Sequence, residues 1–282
     1  MDPEKRYKLG GALAMVGTAS LWSIAGILIK LIDWNPFAIA GMRSFIASIV
    51  ILIYIRRPIF TFSFSQMAAA ISYAVTMILF VTANKTTTAA NAVLLQYTAP
   101  VITAFLAVPL LNEKTKPEHW FAIFFVGLGM IIMFIDDLGG GRLLGNSIAL
   151  MSAFSFSLYF IFLRMQKDSS PFESVILSHW ITAIVCLIAS LFMPLPHITL
   201  KSATAMLILG AIQMGIPSIL ISIGIKRISA LSANLIAVIE PVFNPIWVFL
   251  FVGETPGVNT IIGGSLIIIS VTAVSVISAR RR

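Results

Sequence analysis

The sequence predicts an all-α integral membrane protein, with ten transmembrane helices arranged as two inverted five-helix repeats. Three observations predict it. Of 282 residues, 59% are hydrophobic and only 11% charged, against roughly 25% charged in ordinary soluble domains. Apolar runs of about 20 residues, the length that crosses a bilayer, recur along the whole chain. The second half of the chain also repeats the pattern of the first.

The spans fall at 9–32, 36–55, 65–84, 89–111, 119–135, 144–165, 174–193, 203–225, 230–252 and 259–279. The first follows a charged leader, MDPEKRYKLG, and resembles a signal sequence. It exceeds the 7–15 residues of a signal-peptide core and lacks a convincing cleavage site, so it reads as a retained span. Turn and breaker residues separate the others: Asp33 to Pro36, Arg56-Arg57-Pro58, Asn112 to Pro117, Asp136 to Gly141, Ser169-Ser170-Pro171, Pro194 to His197 and Gly253 to Gly257. Links this short make consecutive helices antiparallel. No polar block is long enough to be an extramembrane domain.

Charge sets the expected orientation. With the N-terminus in the cytoplasm, fourteen of the nineteen Lys and Arg residues face that side. Four (Lys30, Lys85, Arg142 and Lys201) face outward, and Arg43 lies within a span. Positive charge collects on the cytoplasmic side of membrane proteins, which places both termini there, in a cell (inner) membrane. The same bias accounts for the net charge of +8 without nucleic acid as a partner. The lone Cys186 has no internal partner for a disulfide and reads as a small buried hydrophobe.

The repeat divides the chain at 1–141 and 142–282. Residues 90–113 align with 231–254 at an offset of 141, placing Pro100 on Pro241 and Glu113 on Glu254. Lys85 falls on Lys226 and Thr88 on Ser229. Near an offset of 134, Trp22 falls on Phe156, Ser23 on Ser157 and Lys30 on Arg164. Five spans is an odd number, so the second repeat enters the membrane upside down. That pattern puts a substrate site between the halves near the midplane.

These residues resemble the drug/metabolite transporter superfamily, EamA type. The resemblance rests on Ala19-x-x-Trp22-Ser23 and on a Pro–(x)₁₂–Glu pattern closing each repeat, Pro100…Glu113 and Pro241…Glu254. The second glutamate follows Gly253, as is usual in the family; the first follows Asn112, a departure. The resemblance covers essentially the whole chain. It implies a secondary transporter, often an exporter of amino acids or other small metabolites, with a central cavity and the last helix of each repeat at the periphery.

The residues themselves point first to Glu240. It sits mid-way along the ninth run and is followed by Pro241 and Pro245. A charge at that depth costs about 2.5–3.5 kcal/mol on insertion scales, and interior prolines break helical hydrogen bonds. Irregular backbone survives there only against protein or a wet cavity. A buried carboxyl can take and release protons near neutral pH, or attract an amine. The plainer alternative is a glutamate that braces the helix break. Ala99 stands at its place in the first repeat, so the halves differ chemically.

At helical spacing Ala233, Ala237, Glu240, Asn244 and Trp247 share a stripe, as do Gln96 and Thr103, with Asn91 and Tyr97 nearby. Each polar residue here also suits an interhelical hydrogen bond. Arg43 can pair with Glu240, bind a carboxylate, or snorkel outward. His179 can relay protons or be a satisfied structural histidine. Trp22, Tyr73, Met77, Phe80, Phe156, Tyr159 and Met214 offer an aromatic, polarisable surface, with Trp22 and Tyr159 the foremost ligand contacts. Pro100, Pro241, Pro245 and Pro217 are the expected bending points. Gly127, Gly129, Gly263 and Gly264 invite close packing, within the bundle or across a homodimer; the alternative is a monomer.

No enzyme signature is present: no H-E-x-x-H, C-x-x-C, G-x-S-x-G or ATP site. The expected ligands are a small-molecule substrate and protons in a lipid bilayer, with no cofactor and no metal. Asp136 to Gly141 reads as an ordinary turn. A multidrug or organic-cation exporter is the alternative within transport. A membrane enzyme of lipid intermediates would need polar residues clustered at a headgroup interface. A scaffold or receptor would need no acid at mid-membrane.

Overall fold

A computed structural model describes residues 3–30, 32–87, 89–135, 143–194, 197–252 and 257–280. Several side chains within these helices, Asn244 and Pro245 among them, lie outside the described set. The predicted turns at 136–141 and 253–256, with Arg142 and Glu254, also fall outside it.

The described residues are helical almost throughout, as the hydropathy predicts, and the chain is an all-α membrane protein. The first rod is α1 (Pro3–Trp22) and α2 (Ala25–Lys30), followed by α3 (Pro36–Ile55) and α4 (Phe64–Thr86). The fourth is α5 (Ala89–Gln96) plus α6 (Ala99–Leu111), then α7 (Pro117–Phe134), α8 (Leu143–Arg164) and α9 (Phe172–Ser190). The eighth joins α10 (Leu200–Ile208), a π-helical segment (Leu209–Gly215) and α11 (Ile216–Arg227). The ninth is α12 (Ala230–Ala237) plus α13 (Glu240–Val252), and α14 (Val258–Arg280) is last. Eight rods are long and apolar enough to cross a bilayer among the described residues. The ninth has a shorter apolar stretch, 230–243, and the first begins at Pro3, six residues before the apolar run, so charged residues open it.

Three rods are broken, and local chemistry accounts for each break. Pro100 and Pro241 lack an N–H and clash with the carbonyl four residues back. The helix therefore stops at Gln96 and Ala237 and restarts with the proline in the first turn of α6 and α13. The two stripes expected across these breaks are thus not faces of continuous helices. Gln96 ends α5 while Thr103 belongs to α6; Ala233 and Ala237 belong to α12 while Glu240 opens α13. The first rod breaks at Ser23–Ile24 without a proline. Ser20 Oγ donates to Val16 O at 2.8 Å and Ser23 Oγ to Ser20 O at 2.6 Å, the back-bonding that bends helices. Its counterpart α8 runs unbroken. In the eighth rod Pro217 is again the cause: the turn ahead of it widens, and the Ile216 N–H reaches Ala211 O, five residues back.

The helices pair across the halves: α4 on α8 and α1 on α11, α3 on α9, α7 on α14. Exchanging the halves maps the first two pairings onto each other and each of the last two onto itself. Interdigitated between them is a core of Met15, Ala19, Trp22, Tyr73, Phe156, Tyr159 and Met214. Side-chain links join chain ends that charge placed on the same side. Trp34 Nε1 donates to His197 O at 3.0 Å and Asn35 Nδ2 to Pro194 O at 3.1 Å. At the opposite end Glu113 Oε1 pairs with Arg164 Nε at 2.7 Å, and Arg164 Nη1 donates to Ile225 O and Lys226 O at 2.7 and 2.8 Å. Glu113 Oε2 also accepts the Ala230 N–H at 3.0 Å, capping α12.

Glycine brings α7 and α14 into backbone contact. A Cβ on Gly129 would lie 2.8 Å from Gly263 O, and one on Gly263 would meet Gly129 O and Met133 N. These glycines are thus used within the bundle, while a Cβ on Gly127 would meet nothing within 4 Å. Gly263→Ala is expected to destabilise by about 1–3 kcal/mol, because backbone must move, and Gly127→Ala to leave stability unchanged or slightly raised. Thermal unfolding of the two variants in detergent checks the pair. Likewise Glu113→Gln should cost about 1.5–3 kcal/mol, the worth of a charged hydrogen bond, whereas Lys8→Gln, which breaks the more exposed pair with Glu4, should change stability by less than about 1 kcal/mol.

Candidate functional site

The site is built where the broken rods meet. Glu240 is the first residue of α13, so its carboxylate sits at the positive end of that helix dipole. It accepts a hydrogen bond of 2.6 Å from the Tyr97 hydroxyl, which comes from the break between α5 and α6. About two turns further along α13, Trp247 Nε1 donates to Ser23 Oγ at 2.7 Å, at the break between α1 and α2. The three interruptions are therefore tied to one another by two side-chain bonds. Asn244 and Pro245 lie outside the described side chains.

Arg43 stands on α3. Its Nη2 lies 3.6 Å from Met77 Sδ, and its Nε is buried without a partner. The Glu240 carboxylate is within its electrostatic reach, yet no ion pair joins Arg43 to Glu240 among the described residues.

An aromatic chain runs beside these charges. Trp22 and Phe156 have ring centroids 6.3 Å apart, Phe156 and Tyr159 stack at 6.4 Å, Tyr159 and Tyr73 lie at 4.7 Å, and Tyr73 meets His179 edge-on at 5.6 Å. Tyr159 is fully packed within it, at 1% exposure, so a ligand reaches that ring only if the helices move. His179 is entirely buried; its Nε2 lies 2.8 Å from Ser218 Oγ while Nδ1 has no partner. Thr103 Oγ1 lies 2.8 Å from Ser157 Oγ and accepts from Asn234 Nδ2 at 2.7 Å. Gln96 is buried at the end of α5. Pro217 is the second residue of α11, with one residue between it and the π segment.

Sequence reasoning missed Asn234 and Gln213. Gln213 lies in the π segment, donates to Trp22 O at 3.2 Å, and leaves Oε1 without a partner; Asn234 Oδ1 is likewise unpartnered. The available signal was a lone amide inside an apolar run. With Arg43 Nε, Trp22 Nε1 and His179 Nδ1, these atoms form a set of buried polar groups lacking partners. Most buried polar groups are hydrogen-bonded, and an unpaired one is costly, so each of these atoms has room for one more polar contact. No three His, Cys, Asp or Glu residues among the described ones are grouped to hold a metal.

Two segments, residues 9–135 and 143–276, each match the profile of the EamA-like transporter family. The chain belongs to that family. It is a multi-pass membrane transporter. Similar proteins include an uncharacterised transporter of Archaeoglobus fulgidus, 23% identical over 93% of this chain and 94% of its own length. Another, of Clostridium kluyveri, is 29% identical over 71% of this chain and 67% of its own length. A crystal structure covers 96% of this chain and 98% of its own at a TM-score of 0.82 and 18% identity, a likeness of fold.

If the Tyr97 hydroxyl holds the Glu240 carboxylate in register for transport, Tyr97→Phe should keep the fold and cut transport. A loss of about 10-fold or more corresponds to one hydrogen bond to a charged group. Thermal unfolding and substrate flux measured on the same preparation check it.

Proposed function

We propose that this EamA-like chain is a secondary transporter that exports small metabolites, amino acids first, by alternating access between two inverted five-helix repeats. It would act in the cell (inner) membrane with both termini in the cytoplasm. The observation that carries the reading is the separation of Arg43 and Glu240: opposite charges in electrostatic reach, each with a different neutral partner, and not paired with each other. A zwitterion completes such a site, its carboxylate meeting Arg43 and its ammonium Glu240. Membrane-buried charges of this kind are functional by default.

The proline sites supply the motion. Pro100, Pro241 and Pro217 interrupt backbone bonding where the halves meet, so each rod bends there at little further cost. Glu240 is the group through which proton movement would be coupled. A second reading, an organic-cation exporter, is favoured by the aromatic chain beside Glu240. Arg43 weighs against it, because a cation entering the site meets a like charge.

The test is flux through proteoliposomes with a panel of labelled amino acids, with and without an imposed pH gradient. Wild type should accumulate a neutral amino acid when the gradient is imposed, and Glu240→Gln should abolish that accumulation. Equal gradient-independent exchange in both would make the glutamate a brace. Movement of organic cations alone would establish the second reading.

A further inference from the structure

At the end of the bundle that carries Glu113, α1 and α11 touch through glycine. A Cβ on Gly11 would lie 2.6 Å from Arg227 Cβ and 3.4 Å from Gly224 O. Beside the contact is an open groove of about 660 Å³, lined by Pro3, Arg6, Tyr7, Leu9, Gly10, Leu13 and Arg227. The Arg227 guanidinium lies across Gly10, where a Cβ would be 2.7 Å from its Nη1, and over the Tyr7 ring at 5.2 Å.

The chemistry of the groove is divided along its length. Two guanidiniums, Arg6 and Arg227, line it, and neither has a carboxylate partner among the described residues, where Glu4 is paired with Lys8. Like charges held together repel, and an anion between them offsets the repulsion. Seven residues along α1 the wall becomes Leu13, 61% exposed, with Leu9 at 42% between them. Seven residues of helix span about 10 Å. The headgroup layer is about 5–8 Å deep on each side of the hydrocarbon, so a molecule whose phosphate meets Arg6 and Arg227 has its next atoms at Leu9 and Leu13.

We infer that this groove between α1 and α11 is a binding site for one anionic phospholipid. Arg6 and Arg227 hold the phosphate, and Leu9 and Leu13 line the start of an acyl chain. Basic pockets between transmembrane helices take anionic headgroups in this way. Because α1 and α11 come from opposite halves, the bound lipid bridges them at one membrane face. The inference stands on the groove alone and does not depend on what the central site transports.

Native mass spectrometry of the detergent-solubilised full chain, titrated with dioleoylphosphatidylglycerol or dioleoylphosphatidylcholine, tests it. Wild type should retain one phosphatidylglycerol in preference to phosphatidylcholine. Arg6→Gln and Arg227→Gln should each weaken that retention about five-fold, near the worth of one basic residue at a lipid surface, while Lys201→Gln should not. Arg227 also packs on Tyr7, so Arg6→Gln, an exposed residue, carries the test should Arg227→Gln fail to fold. Equal retention of the two lipids, or Arg6→Gln binding phosphatidylglycerol as wild type does, overturns the proposal. So does displacement of the lipid by an equal concentration of glycerol 3-phosphate, which would make the site one for soluble phosphates.

Discussion

The structure depends on one constraint: backbone that is not helical cannot face lipid. Three rods of this chain break inside the membrane, and each break must therefore be covered by protein. The two interior bonds, Tyr97 to Glu240 and Trp247 to Ser23, satisfy that requirement by setting the breaks against one another. The rest of the bundle follows from it. α8 and α4 pack against the rods that carry the breaks, while α7 and α14 pair with each other through Gly129 and Gly263.

The pairing of helices is symmetric and the chemistry is not. Aligned serines each bond the fourth rod of the opposite half, Ser157 to Thr103 and Ser23 to Trp247. Yet one break carries a glutamate and the other an alanine at the aligned position. A bundle whose helix pairings match between the halves thus holds a charge that belongs to one half. Glu113 and Arg164 tie α6, α8, α11 and α12 together at one end. The aligned residues at the other end, Glu254 and Lys30, lie outside the described side chains.

Much of this was legible in the residues. Hydropathy over about 20 residues located every rod, because the bilayer imposes one length on all of them. Pro100 and Pro241 marked two breaks, since a proline has a single consequence inside a helix. The break at Ser23 was not legible, because serine bends a helix only when its hydroxyl turns back on the backbone, and it is free to turn elsewhere. Pro217 was visible, but whether a proline kinks a rod or widens the preceding turn depends on neighbours; here Gly210 and Gly215 let Ile46 and Val50 of α3 approach the widened turn. Periodicity misled at the stripes through Glu240 and Gln96, for it assumes a continuous helix across the prolines. Asn234 and Gln213 were hidden by their solitude: one amide in an apolar run looks like a packing contact until its unpartnered oxygen is seen.

The central claim is that the Tyr97–Glu240 junction lies on the substrate path and is reached alternately from the two sides. Cys186 is the sole cysteine, so a Cys186→Ser background carrying Ile239→Cys, in the break beside Glu240, isolates that point. The direct measurement is the rate of its modification by a membrane-impermeant thiol reagent applied to one face of sealed vesicles and then to the other. The account predicts labelling from both faces, with a transported substrate protecting from both or shifting the ratio between them. Labelling from neither face, with substrate present or absent, would contradict it and leave Glu240 as a buried brace.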